Sequence, residues 1–122
     1  MKYIDTTVLM RVITGDDKAL AEQAIAQIQS GGQNEFSILD AVLVELCFVL
    51  EFHDYKMSRT DIAEAIEALI AIPQISVTDK TINALRLYKK HPKLDYTDCL
   101  LFQIGGKNGV LTFDNELRKT LL

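Results

Sequence analysis

The chain has 122 residues, of which 48% are hydrophobic and 25% are charged, and these proportions exclude a largely disordered protein. Its formal net charge of −4 excludes binding to nucleic acid through bulk positive charge, so such a role would need a local basic patch, a metal ion or a partner that supplies cations. Asp5 interrupts the start of the chain and acidic residues interrupt its longest apolar run, so we expect no signal peptide or membrane span but one cytoplasmic domain over residues 1–122.

The first half of the chain alternates short apolar segments with helical periods. Gly31 and Gly32 end one helix, and the pair Ser37 and Asp40 has the spacing of a capping box that begins the next. The predicted elements are a strand at 2–5, a helix at 6–13, a helix at 18–30, a strand at 36–38 and a helix that ends at about residue 52.

The second half continues this alternation. Ser58 and Asp61 form a second capping-box pattern, and Pro73 ends the helix that they begin. The predicted elements are a helix at 58–72, a strand at 75–77, a helix from Thr78 or Asp79 to Lys90, a helix at 95–107, a strand at 110–113 and a short helix from 114 onward.

Strands that alternate with helices are typical of right-handed β-α-β crossovers, in which parallel strands form a sheet with helices on both faces. The sequence therefore predicts an α/β fold, a three-layer α/β/α sandwich around a short, mostly parallel sheet of four to five strands. In such sheets, ligands bind beyond the carboxyl ends of the strands, and we expect a functional site there.

Two aspartates stand at predicted strand ends. Asp5 follows the first strand and Asp114 follows the last, which places both at the carboxyl edge of the sheet. Each also precedes a predicted helix, so a plain helix cap is the alternative for either residue.

Glu45 lies in an apolar part of its helix. Its neighbours one turn away on either side are all apolar: Ala41, Val42, Phe48 and Val49. We therefore expect Glu45 to point from an apolar stripe, where an unpaired carboxylate would need a metal or a basic partner. The alternative is a glutamate at the rim of the stripe that reaches water or a distant arginine.

Asp98 begins an apolar run and has Asp95 one turn before it. Two like charges at this spacing are unfavourable unless a cation is near. The segment 95–98 also resembles a capping box, so Asp95 is equally a cap or a ligand, whereas the apolar residues after Asp98 favour an inward-facing group. Taken together, the carboxylates at positions 5, 45, 98 and 114, with no cysteine ligands, are typical of a Mg²⁺ or Mn²⁺ site for phosphodiester chemistry.

Four segments carry these acids in chain order: Ile4-Asp5-Thr6-Thr7-Val8-Leu9, Val42-Leu43-Val44-Glu45-Leu46, Leu94-Asp95-Tyr96-Thr97-Asp98-Cys99-Leu100-Leu101 and Leu111-Thr112-Phe113-Asp114. In order and separation they resemble the acidic motifs of the PIN-domain ribonucleases, and among these the VapC-type toxins of type II toxin–antitoxin pairs. The resemblance covers nearly the whole chain. One departure is Thr7, which stands where the family usually has asparagine.

The resemblance implies a PIN-like fold and an endoribonuclease that hydrolyses RNA. Its catalytic and metal-binding residues would be Asp5, Glu45, Asp98 and Asp114, which would hold one or two Mg²⁺ or Mn²⁺ ions. The supporting groups around them would be Thr6, Thr112, Asp95 and Asn115. It also implies a cognate antitoxin protein and a homodimer as partners.

The four acids account for the net charge, and basic residues at the rim of the cleft would hold RNA phosphates. The candidates are Arg11, Lys18, Lys89, Lys90, Lys93, Lys107, Arg118 and Lys119, each of which is alternatively a solvated helix end. Two other functions stay open: a non-catalytic PIN-like binding module, and a Mg²⁺-dependent phosphatase or phospho-acceptor domain. The second lacks the acidic pair that its first strand would need, because Thr7 occupies the place of the second acid.

Overall fold

The computed structural model describes residues 1–53 and 55–121, in two compact units. The N-terminal unit covers Met1–Val77, and the C-terminal unit begins at Thr78. The elements of the N-terminal unit are β1 (Lys2–Tyr3), α1 (Thr6–Thr14), α2 (Lys18–Gln29), β2 (Phe36–Ser37), α3 (Asp40–Phe52) and α4 (Arg59–Ile70). Those of the C-terminal unit are α5 (Asp79–Lys90), α6 (Tyr96–Gly105) and α7 (Asn115–Leu121). That the chain is one domain stays a prediction.

The sheet of the N-terminal unit is parallel, as predicted. β1 pairs with β2 in the register Lys2 to Phe36 and Tyr3 to Ser37. Phe36 also forms a parallel bridge with Ile75, whose segment was predicted as a third strand. Among the described residues only β1 and β2 are strands, so a sheet of four to five strands is not confirmed.

The helices lie within about two residues of their predicted bounds. The local signals explain this agreement: Ser58 accepts a hydrogen bond from the backbone N–H of Asp61, and Gly15, at φ 64°, ends α1 in the left-handed conformation that glycine permits. One cap was wrong. Ser37 belongs to β2, and Leu39 is the N-cap of α3. None of the described helices is long and apolar enough to span a bilayer.

The core of the N-terminal unit is aliphatic. α1 packs on α2 and α3, and α3 packs on α4. The side chains that fill it have at most 1% exposure: Leu9, Leu43, Leu46, Leu50, Ile62, Ala63 and Ile66. These contacts hold α1, which follows Asp5, against α3, which carries Glu45, within the N-terminal unit.

The C-terminal unit is a packing of helices. α5 packs on α6, where Tyr88 and Tyr96 meet edge to face at a ring-centroid distance of 6.2 Å, and α6 packs on α7. Gly109 closes the turn after α6 so tightly that an added Cβ would lie 2.9 Å from the Gly105 Cα and would collide with the Gly105 carbonyl oxygen. This turn brings the chain back toward α7.

The strand predicted at 110–113 was wrong, because no residue there is in a strand. Leu111 and Phe113 are 99% and 92% exposed. An extended segment becomes a strand only when a neighbouring strand takes its hydrogen bonds. The described elements of the C-terminal unit are all helices and present no such edge.

Candidate active site

Asp5 lies beyond the carboxyl end of β1, as the sequence predicted, two residues after Tyr3. It is the N-cap of α1, but its side chain makes no cap hydrogen bond. Its Oδ2 instead accepts a hydrogen bond of 3.0 Å from the hydroxyl of Thr7, and the residue is exposed. The carboxylate therefore points away from the helix N–H groups, with its orientation set by Thr7.

Glu45 corrects one step of the sequence interpretation. Its side chain is exposed, and the apolar surface beside it is exposed as well, since Phe48 is 56% accessible. The buried stripe of α3 runs instead along Leu43, Leu46, Cys47 and Leu50. α3 is apolar on almost every face, so the pattern did not indicate which face is buried. The inference of a buried carboxylate that requires a cation was therefore wrong, and Glu45 remains a candidate through its family motif.

Asp95 and Asp98 form the capping box that the sequence suggested. Asp95 Oδ1 accepts a hydrogen bond of 2.8 Å from the Asp98 N–H, and Asp98 Oδ2 accepts one of 3.2 Å from the Asp95 N–H. Asp98 is half-buried. The reciprocal pair fixes the first turn of α6 and the direction of the Asp98 side chain.

Partial burial raises the pKa of Asp98 above its usual range, and the negative charges of Asp95 and Asp114 raise it further. The backbone N–H of Asp95 opposes this rise in part. The charges of three acids in the C-terminal unit thus act on one another, and a cation placed among them would be stabilised.

Asp114 acts as a helix cap, the alternative foreseen for it. Its Oδ1 accepts a hydrogen bond of 2.9 Å from the N–H of Leu117, and its own N–H donates to the hydroxyl of Thr112 at 3.0 Å. Arg118 donates to the Thr112 carbonyl at 3.1 Å, which ties this segment to α7. The cap uses one carboxylate oxygen, and Asp114 is exposed.

The four acids keep donor atoms for a ligand. The described residues hydrogen-bond one oxygen each of Asp5, Asp98 and Asp114, and neither oxygen of Glu45. Hard carboxylate oxygens accessible to solvent fit Mg²⁺ or Mn²⁺, which bind few protein ligands together with water and phosphate oxygens. Within either unit taken alone, no three described His, Cys, Asp or Glu side chains stand close enough to hold a metal.

Of the four predicted supporting residues, two make a hydrogen bond to a catalytic acid in the structure. Thr112 contacts Asp114 and Asp95 contacts Asp98, as given above, whereas Asn115 begins α7 as an exposed residue and Thr6 is 4% exposed. The hydroxyl that orients Asp5 belongs to Thr7, which the sequence interpretation had not included among the site residues. The signal was present: a threonine two residues after an aspartate is within reach of its carboxylate.

The four motifs agree with the comparison with known proteins. The chain matches the PIN domain over residues 2–120, and it belongs to that family. It is 31% identical, over 126 aligned positions, to a VapC ribonuclease of Aquifex aeolicus (strain VF5), with 98% of this chain and 91% of that relative covered. Within the family the chain is therefore of the VapC ribonuclease type, as its four acidic motifs predicted. No solved structure matches it.

Proposed function

We propose that this VapC-type PIN-domain protein is a metal-dependent endoribonuclease that uses Asp5, Glu45, Asp98 and Asp114 to hydrolyse RNA phosphodiester bonds. The observation that carries the proposal is that each carboxylate has an oxygen to which no described residue donates a hydrogen bond, even though Asp98 is half-buried. Mg²⁺ or Mn²⁺ is the ion that such oxygens favour.

The chemistry that the cation supplies when bound is a lowered pKa for a coordinated water and neutralisation of charge on the phosphate oxygens. The protein's own contribution is orientation. Thr7 directs the Asp5 carboxylate, the capping box directs Asp98, and the helix N–H of Leu117 directs Asp114. Fixed ligands raise the rate because the reacting groups meet without further loss of freedom.

Around this site, Thr112 and Asp95 act as supporting groups through the hydrogen bonds described above, and Thr6 and Asn115 are assigned to the same role on their motif positions. The finer fold belongs to the proposal as well: one domain with a sheet larger than β1 and β2, which the segment 75–77 joins through the parallel bridge between Ile75 and Phe36.

The biological role that follows from the VapC-type membership is that of a cytoplasmic toxin, held inactive by a cognate antitoxin protein and working as a homodimer on RNA. The PIN match over residues 2–120 favours this role over a phosphatase or phospho-acceptor domain.

The deciding experiment is RNA cleavage by the purified protein with Mg²⁺ or Mn²⁺, with EDTA, and by the variant Asp98→Asn. We expect cleavage that EDTA abolishes and that the variant lacks. Cleavage that resists EDTA, or full activity of Asp98→Asn, would overturn the mechanism.

Calorimetry separates the metal site from the reaction. Titration of Mn²⁺ into the wild type should release or absorb measurable heat, which Asp5→Asn should reduce strongly. Equal and negligible heats for both proteins would exclude the site, and robust binding without RNA cleavage would indicate a non-catalytic binding module.

A further inference from the structure

The charges of this acidic chain are divided between its two units. Residues 1–77 contain five Lys and Arg and twelve Asp and Glu, a formal charge of −7. Residues 78–122 contain eight Lys and Arg and five Asp and Glu, a formal charge of +3. All eight of these cations are exposed. The net charge of the whole chain therefore conceals a cationic unit.

One group of these cations is held together by a single carboxylate. Glu116 Oε1 lies 3.8 Å from the Lys93 Nζ and 3.8 Å from the Lys119 Nζ, so two ammonium groups share one negative charge. The two lysine side chains are 74% and 72% exposed. Ion pairs so accessible to water add little to stability, which leaves the excess positive charge unexplained by folding.

This group lies next to the proposed catalytic acids of the same unit. Lys93 is two residues before Asp95 in the connection from α5 to α6, and Glu116 is two residues after Asp114. Arg118, adjacent to Lys119, donates to the Thr112 carbonyl and therefore stands beside the segment that ends at Asp114. The cations thus adjoin both chain segments that carry catalytic acids in this unit.

We infer, on the basis of the proposed ribonuclease function, that Lys93, Arg118 and Lys119, arranged by Glu116, form a phosphate-binding surface that holds the RNA backbone beside the catalytic acids. The anionic N-terminal unit repels RNA, so the C-terminal unit supplies the charge that binds it. Contacts of lysine and arginine to phosphate position the strand without reading its sequence. The earlier candidate Arg11 is not part of this surface because it belongs to the anionic N-terminal unit, where its guanidinium lies 3.0 Å from Asp16.

The test measures binding rather than cleavage. The full chain, in EDTA, is titrated into a fluorescein-labelled oligouridylate, and anisotropy gives the Kd between about 50 and 200 mM KCl. Each lost phosphate contact to a single strand should flatten the slope of log K against log salt by about 0.7. We expect that decrease for Lys93→Gln and for Lys119→Gln, and about twice that decrease for the double variant.

A matched control comes from the anionic unit. Lys2 makes an ion pair of the same length, 3.8 Å, with Glu35, and its side chain is 72% exposed. Lys2→Gln should leave the slope unchanged, and the double arginine variant of Lys93 and Lys119 should keep the wild-type slope because it keeps the charge. Thermal unfolding of each variant confirms that it is folded.

Glu116→Gln tests whether the two lysines bind RNA phosphates or serve only to form ion pairs with Glu116. Removing its charge should tighten RNA binding at low salt, since both ammonium groups become more available to phosphate. Binding that is unchanged or weaker would contradict the role given to Glu116. A wild-type slope in the double glutamine variant would overturn the surface itself, even if EDTA-sensitive cleavage had confirmed the ribonuclease. Lysine-dependent binding by a protein without cleavage would overturn the ribonuclease instead.

Discussion

At the scale of single residues, Thr7 is the residue that orients the Asp5 carboxylate. Its hydroxyl donates to Asp5 Oδ2 at 3.0 Å, and the bond is local and exposed. An exposed hydrogen bond contributes little to folding, because water replaces it in the unfolded chain. In the proposed metal site, the role of this bond is to fix the direction of the Asp5 carboxylate.

Thr7→Val keeps the shape of the side chain but removes the donor. We expect cleavage to fall about two- to twelvefold, corresponding to about 0.5–1.5 kcal/mol for one hydrogen bond. The melting temperature should stay nearly the same, since the residue is exposed. Thr7→Ser and Thr7→Asn both retain a donor and should keep cleavage near the wild-type rate. The measurement is the cleavage rate of each variant with Mn²⁺. Equal rates for the valine and serine variants would contradict the role.

At Asp98, the charge that the proposed reaction needs disfavours folding. The like charges of Asp95 and Asp114 and its partial burial disfavour its ionised form, while an asparagine at this position could still accept the Asp95 N–H. We therefore expect Asp98→Asn to melt in EDTA at the wild-type temperature or above it, although its cleavage falls on the order of 10²-fold or more. Calorimetric melting in EDTA measures the first effect.

The matched control for Asp98→Asn is Asp61→Asn. Asp61 occupies the same position of α4, three residues after the cap Ser58, but is exposed. Its charge stabilises the helix N-terminus by about 0.3–1 kcal/mol, so its removal should lower the melting temperature and leave cleavage unchanged. If both variants lose the same amount of stability, the prediction that the charge of Asp98 disfavours folding is contradicted.

At the scale of the elements, a cluster around Asp16 joins parts of the N-terminal unit that lie far apart in sequence. Asp16 accepts hydrogen bonds from Arg11 at 3.0 Å, from Thr14 at 2.9 Å and from the Tyr55 hydroxyl at 2.7 Å. The Tyr55 bond ties the turn between α1 and α2 to the connection between α3 and α4. Since α1 follows Asp5 and α3 carries Glu45, the tie supports the placement of both acids.

These bonds, that from Tyr55 first, lower the pKa of Asp16 from 3.8 to about 2. A carboxylate whose pKa is lower in the folded state stabilises the fold above its unfolded pKa and loses that effect as pH falls through the folded value. The stability difference between wild type and Tyr55→Phe should therefore be constant above the ordinary pKa of 3.8 and narrow toward pH 2. Urea unfolding at a series of pH values measures it.

Tyr3→Phe is the control for this comparison, because Tyr3 is 61% exposed in the same unit. Its unfolding midpoint should follow that of the wild type at every pH. A difference for Tyr55→Phe that does not change with pH would mean that the tyrosine acts through packing and not through Asp16.

The helices also show which parts of the fold can be predicted from the sequence. The helices could be predicted because their signals are local: a period of apolar residues, a cap such as Ser58, and a stop such as Gly15. The Asp16–Tyr55 hydrogen bond could not be predicted, because its partners are 39 positions apart and the sequence around one residue does not indicate the other. The exposed face of α3 could not either, since an almost wholly apolar helix does not indicate which side packs.

At the scale of the whole molecule, the sequence predicts which residues form a candidate site but not the geometry of that site. The order of four acidic motifs identified the family, which the match over residues 2–120 confirmed. A motif order contains no distances, however, and the physical reason first given for Glu45 was wrong. What the sequence does contain at this scale is the division of charge, −7 before residue 78 and +3 from there on, which the net value of −4 hides.

The proposed site draws Asp5 and Glu45 from the N-terminal unit and Asp98 and Asp114 from the C-terminal unit. A cation that the acids of one unit bind stabilises the folded state of that unit. Saturation at about 100 times the Kd adds about 2.7 kcal/mol to the folded state. We expect Mn²⁺ to slow amide hydrogen exchange at the start of α1 and around Glu45 as well as at the starts of α6 and α7. Asp114→Asn should weaken that protection at the start of α7, because the substitution removes one of the proposed ligands there. Exchange that Mn²⁺ leaves unchanged in all of these segments, or protection at α7 that survives Asp114→Asn, would contradict the assignment of these carboxylates to the metal.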